Sequence, residues 1–400
     1  MRILPTPSLR RVPLLIAALL SPTVALPAQT PTLQQQLQQL TTARATAGLG
    51  HTALYALQLN TQNVVGIDPD LPVQTASVIK LGILYHAMVQ VREGKARWDE
   101  PITLHPHEAV AGSGLLTFLD TPVTLTLKDV LTMMVIVSDN TATNLAIDRF
   151  GIDPINARLQ ALGLENTHLY KKVMLPATGP MPADQPKFGL GKTTPREMAI
   201  LMETIGLCRL HQQGTATTPG TAHFLPTDAA DRAVCSVALN MLKNQFYRET
   251  IPRYLEAVDT SETGTAIASK TGSLDAVRAD VAIVMGKSGP MVLSIFTYDN
   301  RDHGWTVDNE AEVSIAKLGK LIVDSWSPTG LDGKNLIPGL GLPDTTTIPS
   351  PPTPKYPATT AWVPHSYAHL RMGGVTTPKS PPKPSTIPYI LHPRINRPCP

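Results

Sequence analysis

Apolar residues recur along this chain with two periods, and the period changes from segment to segment. Thr32 to Gln35 forms a capping box, and Leu33, Leu37 and Leu40 continue it as an amphipathic helix. Residues 52–68 read as two strands joined by a turn around Asn60 to Asn63. From Ser77 onward the spacing turns helical, with Ile79, Leu81, Leu84, Met88 and Val91 on one broad face. Further helices are predicted over 127–136, 140–149, 154–162, 195–207 and 230–243. Strand patterns return only late, at Ala266 to Lys270, Ala279 to Met285 and Met291 to Tyr298. A last helix runs from Asp308 to about Trp326. Strands at both ends with helices between them predict a mixed α/β (α+β) fold. One antiparallel sheet is built from both ends of the domain and flanked by helices, with an all-helical lobe inserted. An active site belongs where lobe and sheet meet.

Both ends of the chain differ from this body. Residues 1–28 read as an export signal: Arg2, Arg10 and Arg11 come first, then the apolar Val12 to Leu20 broken by Pro13, then small residues around Ala25 and Ala28. That apolar run is too short to span a bilayer, and no later segment reaches the roughly 18 apolar residues a span requires. A secreted or periplasmic protein without a transmembrane segment is expected, with its hydrolase-like domain over residues 29–326. Residues 327–400 hold 17 of the 38 prolines and read as a Pro-rich, disordered basic tail. The whole chain carries +3, the tail +5 and the first 28 residues +3, which leaves −5 on the body. The basic charge therefore sits outside the domain, and the case for a nucleic-acid partner falls away. Of the three cysteines, Cys208 and Cys235 suit either a disulfide in an exported protein or two buried thiols, and Cys399 is left over. No metal-ligand spacing accompanies them, and His105-Pro106-His107 lacks the further ligands a metal hydrolase requires.

Three short motifs carry the chemistry: Ser77-Val78-Ile79-Lys80, Ser138-Asp139-Asn140 and Lys270-Thr271-Gly272. The first is uninformative alone, since Ser314 to Lys317 and Ser380 to Lys383 share its spacing. The other two occur once each. Ser77 should open a helix, where unpaired N–H groups and the positive dipole end favour developing negative charge. Lys80 lies three residues on, on the same face. A lysine desolvated beside another cation can lose its proton and activate a serine hydroxyl. Asp139 suits a helix cap. Gly272, at a strand end, would let a ligand backbone come close.

The order of these motifs resembles the class A β-lactamase superfamily, which includes serine β-lactamases and penicillin-binding-protein-like enzymes. Leu127 to Leu131, Asn140 to Leu145 and Gly112 to Leu116 share the likeness, which covers roughly residues 35–325. The resemblance implies Ser77 as nucleophile, Lys80 as its base, Ser138 as proton relay and Lys270 as an electrostatic partner. It further implies an oxyanion hole from the backbone N–H groups of Ser77 and Ser273. Asn140, Thr271, Gly272 and Arg278 would bind substrate, with a surface arginine the competing reading for Arg278. The pattern fails at one place. The family carries a glutamate in the loop following the second motif, and no glutamate occurs between Glu165 and Glu197. Tyr170 to Pro176 stands there instead, with Val173 at its centre. Asp184 could substitute, or be a solvated turn, and Glu197 suits a helix-dipole role. The expectation is a monomeric, cofactor-free serine hydrolase that opens β-lactams through a Ser77 acyl-enzyme, with slow deacylation unless another base serves. The alternatives are a penicillin-interacting D-alanyl-D-alanine peptidase, amidase or esterase on cell-wall peptides, or a non-catalytic cell-wall-binding module.

Overall fold

The computed structural model describes residues 31–210, 229–255 and 265–332; the expected export signal and most of the Pro-rich tail lie outside them. Helix α1 (Leu33–Thr46) starts at the capping box of Thr32 and Gln35. Strands β1 (His51–Gln58) and β2 (Val64–Ile67) follow, and then the two-residue β3 (Val73–Gln74). A 3₁₀ turn over Ala76–Ile79 feeds α2 (Lys80–Arg92). The next stretch holds β4 (Pro101–Leu104), β5 (Val123–Thr126), α3 (Leu127–Ile136), α4 (Asn140–Phe150) and α5 (Ile152–Ala161). After it come β6 (His168–Leu169), α6 (Gln185–Phe188), β7 (Gly191–Thr193), α7 (Pro195–Gly206) and α8 (Ala229–Lys243). The chain then makes β8 (Ile267–Leu274), β9 (Val277–Gly286), β10 (Gly289–Tyr298) and α9 (Glu310–Trp326).

Side-chain caps fix where the helices begin. Thr126 and Asp129 form a capping box on α3, Asp139 accepts from Ala142 N on α4, and Thr194 accepts from Glu197 N ahead of Pro195 on α7. Asn309 does the same for α9. Each cap satisfies donors that a helix start otherwise leaves open.

The five-stranded sheet has the order β2-β1-β10-β9-β8, antiparallel throughout. Early and late segments thus meet at β1 and β10, in the register His51 with Tyr298 through Gln58 with Met291. Alternation along each strand sorts the side chains onto two faces. Leu54, Ala56, Ala282, Val284, Leu293 and Ile295 meet Leu37 of α1 and Ile315, Leu318 and Ile322 of α9. Ala53, Tyr55, Val281, Ile283 and Val292 face the other way, into the larger core shared with α2, α7 and α8. The expected architecture is present.

The lobe is not wholly helical, however. It carries the β4–β5 pair and a second small sheet ordered β3-β7-β6. These strands of two to four residues are too short for an alternation pattern to register. The ordered body also runs past Trp326: Leu331 bridges to Gly286, and Lys287 N donates to Gly330 O at 2.9 Å.

Cys208 and Cys235 form a disulfide, with Cα atoms 5.8 Å apart and a sequence separation of 27. It ties the end of α7 to α8. Closing a loop of that length removes enough unfolded-state entropy to contribute about 3 kcal/mol. Replacing both cysteines with alanine should lower the unfolding free energy by about that amount. Urea unfolding of the oxidised protein and of the double variant measures the difference, and coincident curves would refute it.

Candidate active site

The Ser77 turn is held from three sides. Thr75 N donates to Gly191 O at 3.0 Å, which joins the turn to the small lobe sheet. Lys80, the first residue of α2, is fully buried behind it. On the third side stands Gly272 of β8. A Cβ added there would come within 3.0 Å of Ser77 N and 3.1 Å of Thr75 O, so only glycine permits this contact. Ala76, just before the serine, has φ 45°, a left-handed conformation that costs a non-glycine residue energy and collects at functional sites.

Ser138 sits at the junction of α3 and α4, also left-handed at φ 53°. Asp139 fixes this junction. Its carboxylate accepts from Leu115 N at 2.6 Å, Leu116 N at 2.8 Å and Ala142 N at 2.8 Å, bonds worth about 1.5–3 kcal/mol each. Gly114, with φ 120°, is required there: a Cβ would lie 2.3 Å from the Asp139 carboxylate. Asp139 is thus a structural clamp as well as the cap the sequence suggests.

Lys80 Nζ donates to Ser138 O at 2.7 Å, Ser138 Oγ at 3.1 Å and Asn140 Oδ1 at 3.2 Å. Lys270 Nζ reaches the same hydroxyl, Ser138 Oγ, at 3.1 Å and also Thr271 O at 2.8 Å. Ser113, which lies in the family-like stretch Gly112 to Leu116 but was given no role there, donates to Ser138 O at 2.8 Å. Two buried ammonium groups around one hydroxyl repel each other and lack water. Burial, followed by the charge of Lys270, pushes Lys80 well below its usual range, against the pull of Asp139. Burial brings Lys270 down to about 7, with Asp280 pulling the other way. Burial thus makes both amines readier than a free lysine to give up a proton, beside a hydroxyl that they share. β8 is the sheet's outer strand, so its backbone edge from Lys270 to Ser273 is turned away from β9.

Arg278 is not part of this site, and its assignment as a substrate ligand is corrected. It pairs across the sheet with Ser273, and alternation puts it on the α9 face. There it is fully buried, and every nitrogen of its guanidinium is engaged. Nε donates to Glu312 Oε1 at 3.0 Å, Nη2 to Gly304 O at 2.8 Å, and Nη1 to Val277 O at 3.0 Å and to Leu274 O. The Trp305 ring covers it at 4.7 Å. The surface reading fails as well.

The segment at Val173 is fixed just as firmly. Asn144, one turn along α4 from Asn140, accepts from Val173 N at 2.8 Å and donates to Val173 O at 3.0 Å. Lys171 Nζ donates to Leu175 O at 2.6 Å, and Lys172 pairs with Asp148. The apolar Val173 side chain is buried. Asp184 is committed to Lys192 at 2.8 Å and to the Tyr170 hydroxyl at 3.1 Å; the Lys192 hydrogen bond lowers its carboxyl and makes it a weaker base. Glu197 accepts from Asn166 N at 3.0 Å and Thr167 Oγ1 at 2.7 Å, which makes it a lobe brace. Among the described residues no cluster of His, Cys, Asp and Glu could hold a metal ion, and no helix is long and apolar enough to cross a membrane.

The Ser77 turn, two buried amines and a shared hydroxyl stand together at the seam of sheet and lobe. The chain belongs to the beta-lactamase enzyme family, whose model matches residues 32–326. Among solved structures it is similar to a beta-lactamase from Sphaerobacter thermophilus DSM 20745, with 24% identity, a TM-score of 0.58, and 72% of this chain and 96% of that one covered. A point mutant of PBP-A, an acyl-enzyme complex with penicillin G, gives 24% identity, a TM-score of 0.58 and coverage of 74% and 96%. An ancestral class A beta-lactamase gives 21%, 0.57, and 74% and 100%. No curated protein sequence matches the chain.

Arg278→Ala should act on stability. It strands Glu312 against the sheet, and breaking a buried ion pair from one side costs about 3–5 kcal/mol. Denaturant titration should show that loss. Wild-type stability together with weakened substrate binding would restore Arg278 to the site.

Proposed function

We propose that the protein is an exported serine hydrolase that is acylated by β-lactams at Ser77 and releases the product slowly. One observation carries the reading: the amines of Lys80 and Lys270 both lie 3.1 Å from Ser138 Oγ, beside the Ser77 turn. Neutral Lys80 takes the Ser77 Oγ proton as that oxygen bonds to the lactam carbonyl carbon. The oxyanion that forms is met by the N–H groups of Ser77 and Ser273. As the carbon–nitrogen bond breaks, the proton passes from Lys80 through Ser138 Oγ to the leaving nitrogen. Asn140 and the outer edge of β8 receive the substrate's amide and carboxylate, and cationic Lys270 complements the carboxylate. The likeness to PBP-A, a mutant of which was caught as an acyl-enzyme with penicillin G, supports the first half of this cycle.

The second half lacks its base. A general base contributes about 100- to 10,000-fold to hydrolysis of an acyl ester, and at the Asn144-held position this chain has Val173. That favours a second reading, a penicillin-interacting D-alanyl-D-alanine peptidase. Release of D-alanine from a peptide with that terminus, faster than turnover of a chromogenic cephalosporin, would select it.

Intact-mass analysis after penicillin treatment should show one adduct that Ser77→Ala abolishes. Pre-steady-state kinetics should show a burst of one equivalent followed by slow turnover. Val173→Glu should raise turnover by at least about 100-fold and remove the burst. Rapid wild-type turnover without a burst would overturn slow deacylation. The pH dependence follows from Lys270, whose cationic form is present below about 7 and lost above it. Acylation by a carboxylate-bearing β-lactam should therefore fall as pH rises through about 7, approaching tenfold per unit, whereas the methyl ester should lack this limb.

A further inference from the structure

A buried carboxylate stands behind Lys270. Lys270 and Thr271 are consecutive on β8, so their side chains leave the strand on opposite faces. Lys270 goes to the lobe and Ser138. Thr271 pairs with Asp280 of β9, whose side chain is fully buried on the α9 face. Asp280 Oδ2 accepts from Thr250 Oγ1 at 2.6 Å and from Ile251 N at 3.2 Å. Its Oδ1 is buried without a well-formed hydrogen bond, as is the hydroxyl of Ser269 two residues before Thr271. Burying a carboxyl costs desolvation that hydrogen bonds only partly offset. A buried cation on the neighbouring strand gains from an anion placed there.

We propose that Asp280 is a positioning residue that keeps Lys270 cationic from behind the sheet, ready for an anionic substrate. This rests on the acylation reading given above. Lys80 from α2 and Ser138 from the α3–α4 junction face Lys270, and Asp280 of β9 lies behind it on the other face of the sheet. The groups facing Asp280 are Thr250 and Ile251, at the start of a second 3₁₀ turn over Ile251–Tyr254, and Ser269 from β8. Arg278 lies two residues away on the same face, neutralised by Glu312 of α9. Burial drives the Lys270 proton off, and Asp280 opposes it. Burial also raises the Asp280 carboxyl, while the Thr250 hydroxyl, the Ile251 N–H, the charge of Lys270 and the dipole of Ser269 lower it again. Thr250 thus acts on Lys270 through Asp280.

The test uses the full chain labelled with ¹³C at lysine Cε, with the Lys270 resonance assigned by its loss in Lys270→Ala. In the wild type this resonance should titrate at about 7. In Asp280→Asn the midpoint should fall by about one unit or more. Thr250→Val, which keeps the carboxyl but removes its donor, should move the midpoint in the same direction by less, and Thr250→Ser should restore it. These variants serve if Asp280→Asn fails to fold, as thermal unfolding will show. An unmoved Lys270 midpoint in the folded variants overturns the proposal whatever the enzyme does. A moved midpoint in a protein that penicillin never acylates would sustain the charge coupling and sink the acylation reading. Where acylation occurs, the alkaline limb for carboxylate-bearing β-lactams should move with the midpoint, and methyl esters should be unaffected. A uniform rate loss at every pH with both substrates would mark Asp280 as a packing residue only.

Discussion

Two lysine amines held out of water around one hydroxyl are the constraint from which the rest of this site follows. Neither Lys80 nor Lys270 would be buried for stability, because desolvating a charge costs more than the neighbouring dipoles return. The surrounding structure is built to hold them there. Asp139 commits its carboxylate to three backbone amides and so fixes the turn that presents Ser138. Gly272 lets β8 lie against the Ser77 turn, which brings Lys270 within reach. The left-handed backbones of Ala76 and Ser138 are the local cost of that arrangement.

The loop around Val173 is held firmly but carries no water-activating group. Asn144 grips both backbone atoms of Val173. The side chain it presents is apolar. Neither Asp184 nor Glu197 replaces the missing group, since each is bound into the lobe by its own partners. On the proposed function, such a site would make an ester and lack the base to break it.

Most of the fold was legible because its elements are long. Helix α3 begins and ends at the predicted residues, and the late strands fall within a few positions of their patterns. The strands of the two small sheets were not legible, since two to four residues show no period. The reactive residues could be read because motif order is information independent of packing. Arg278 was misread for a physical reason: its spacing from Lys270 puts it beside the site along the chain, but strand alternation turns it to the opposite face. Asn144 and Ser113 act through their neighbours' backbones, and nothing in residue type announces that. Asp280 was missed on the same ground, because its partner across the pair is known only from register.

The pairing of β1 with β10 decides when the Ser77 turn meets Lys270. Ser77 and Lys80 follow β1 early in the chain, but β8 joins that strand only by way of β9 and β10. Until the final strand takes its place, the early serine faces no Lys270 and no β8 edge. Contacts between such distant segments also form slowly. A chain still being synthesised therefore carries the Ser77 turn without its β8 neighbours. The three motifs come together only with closure of the sheet.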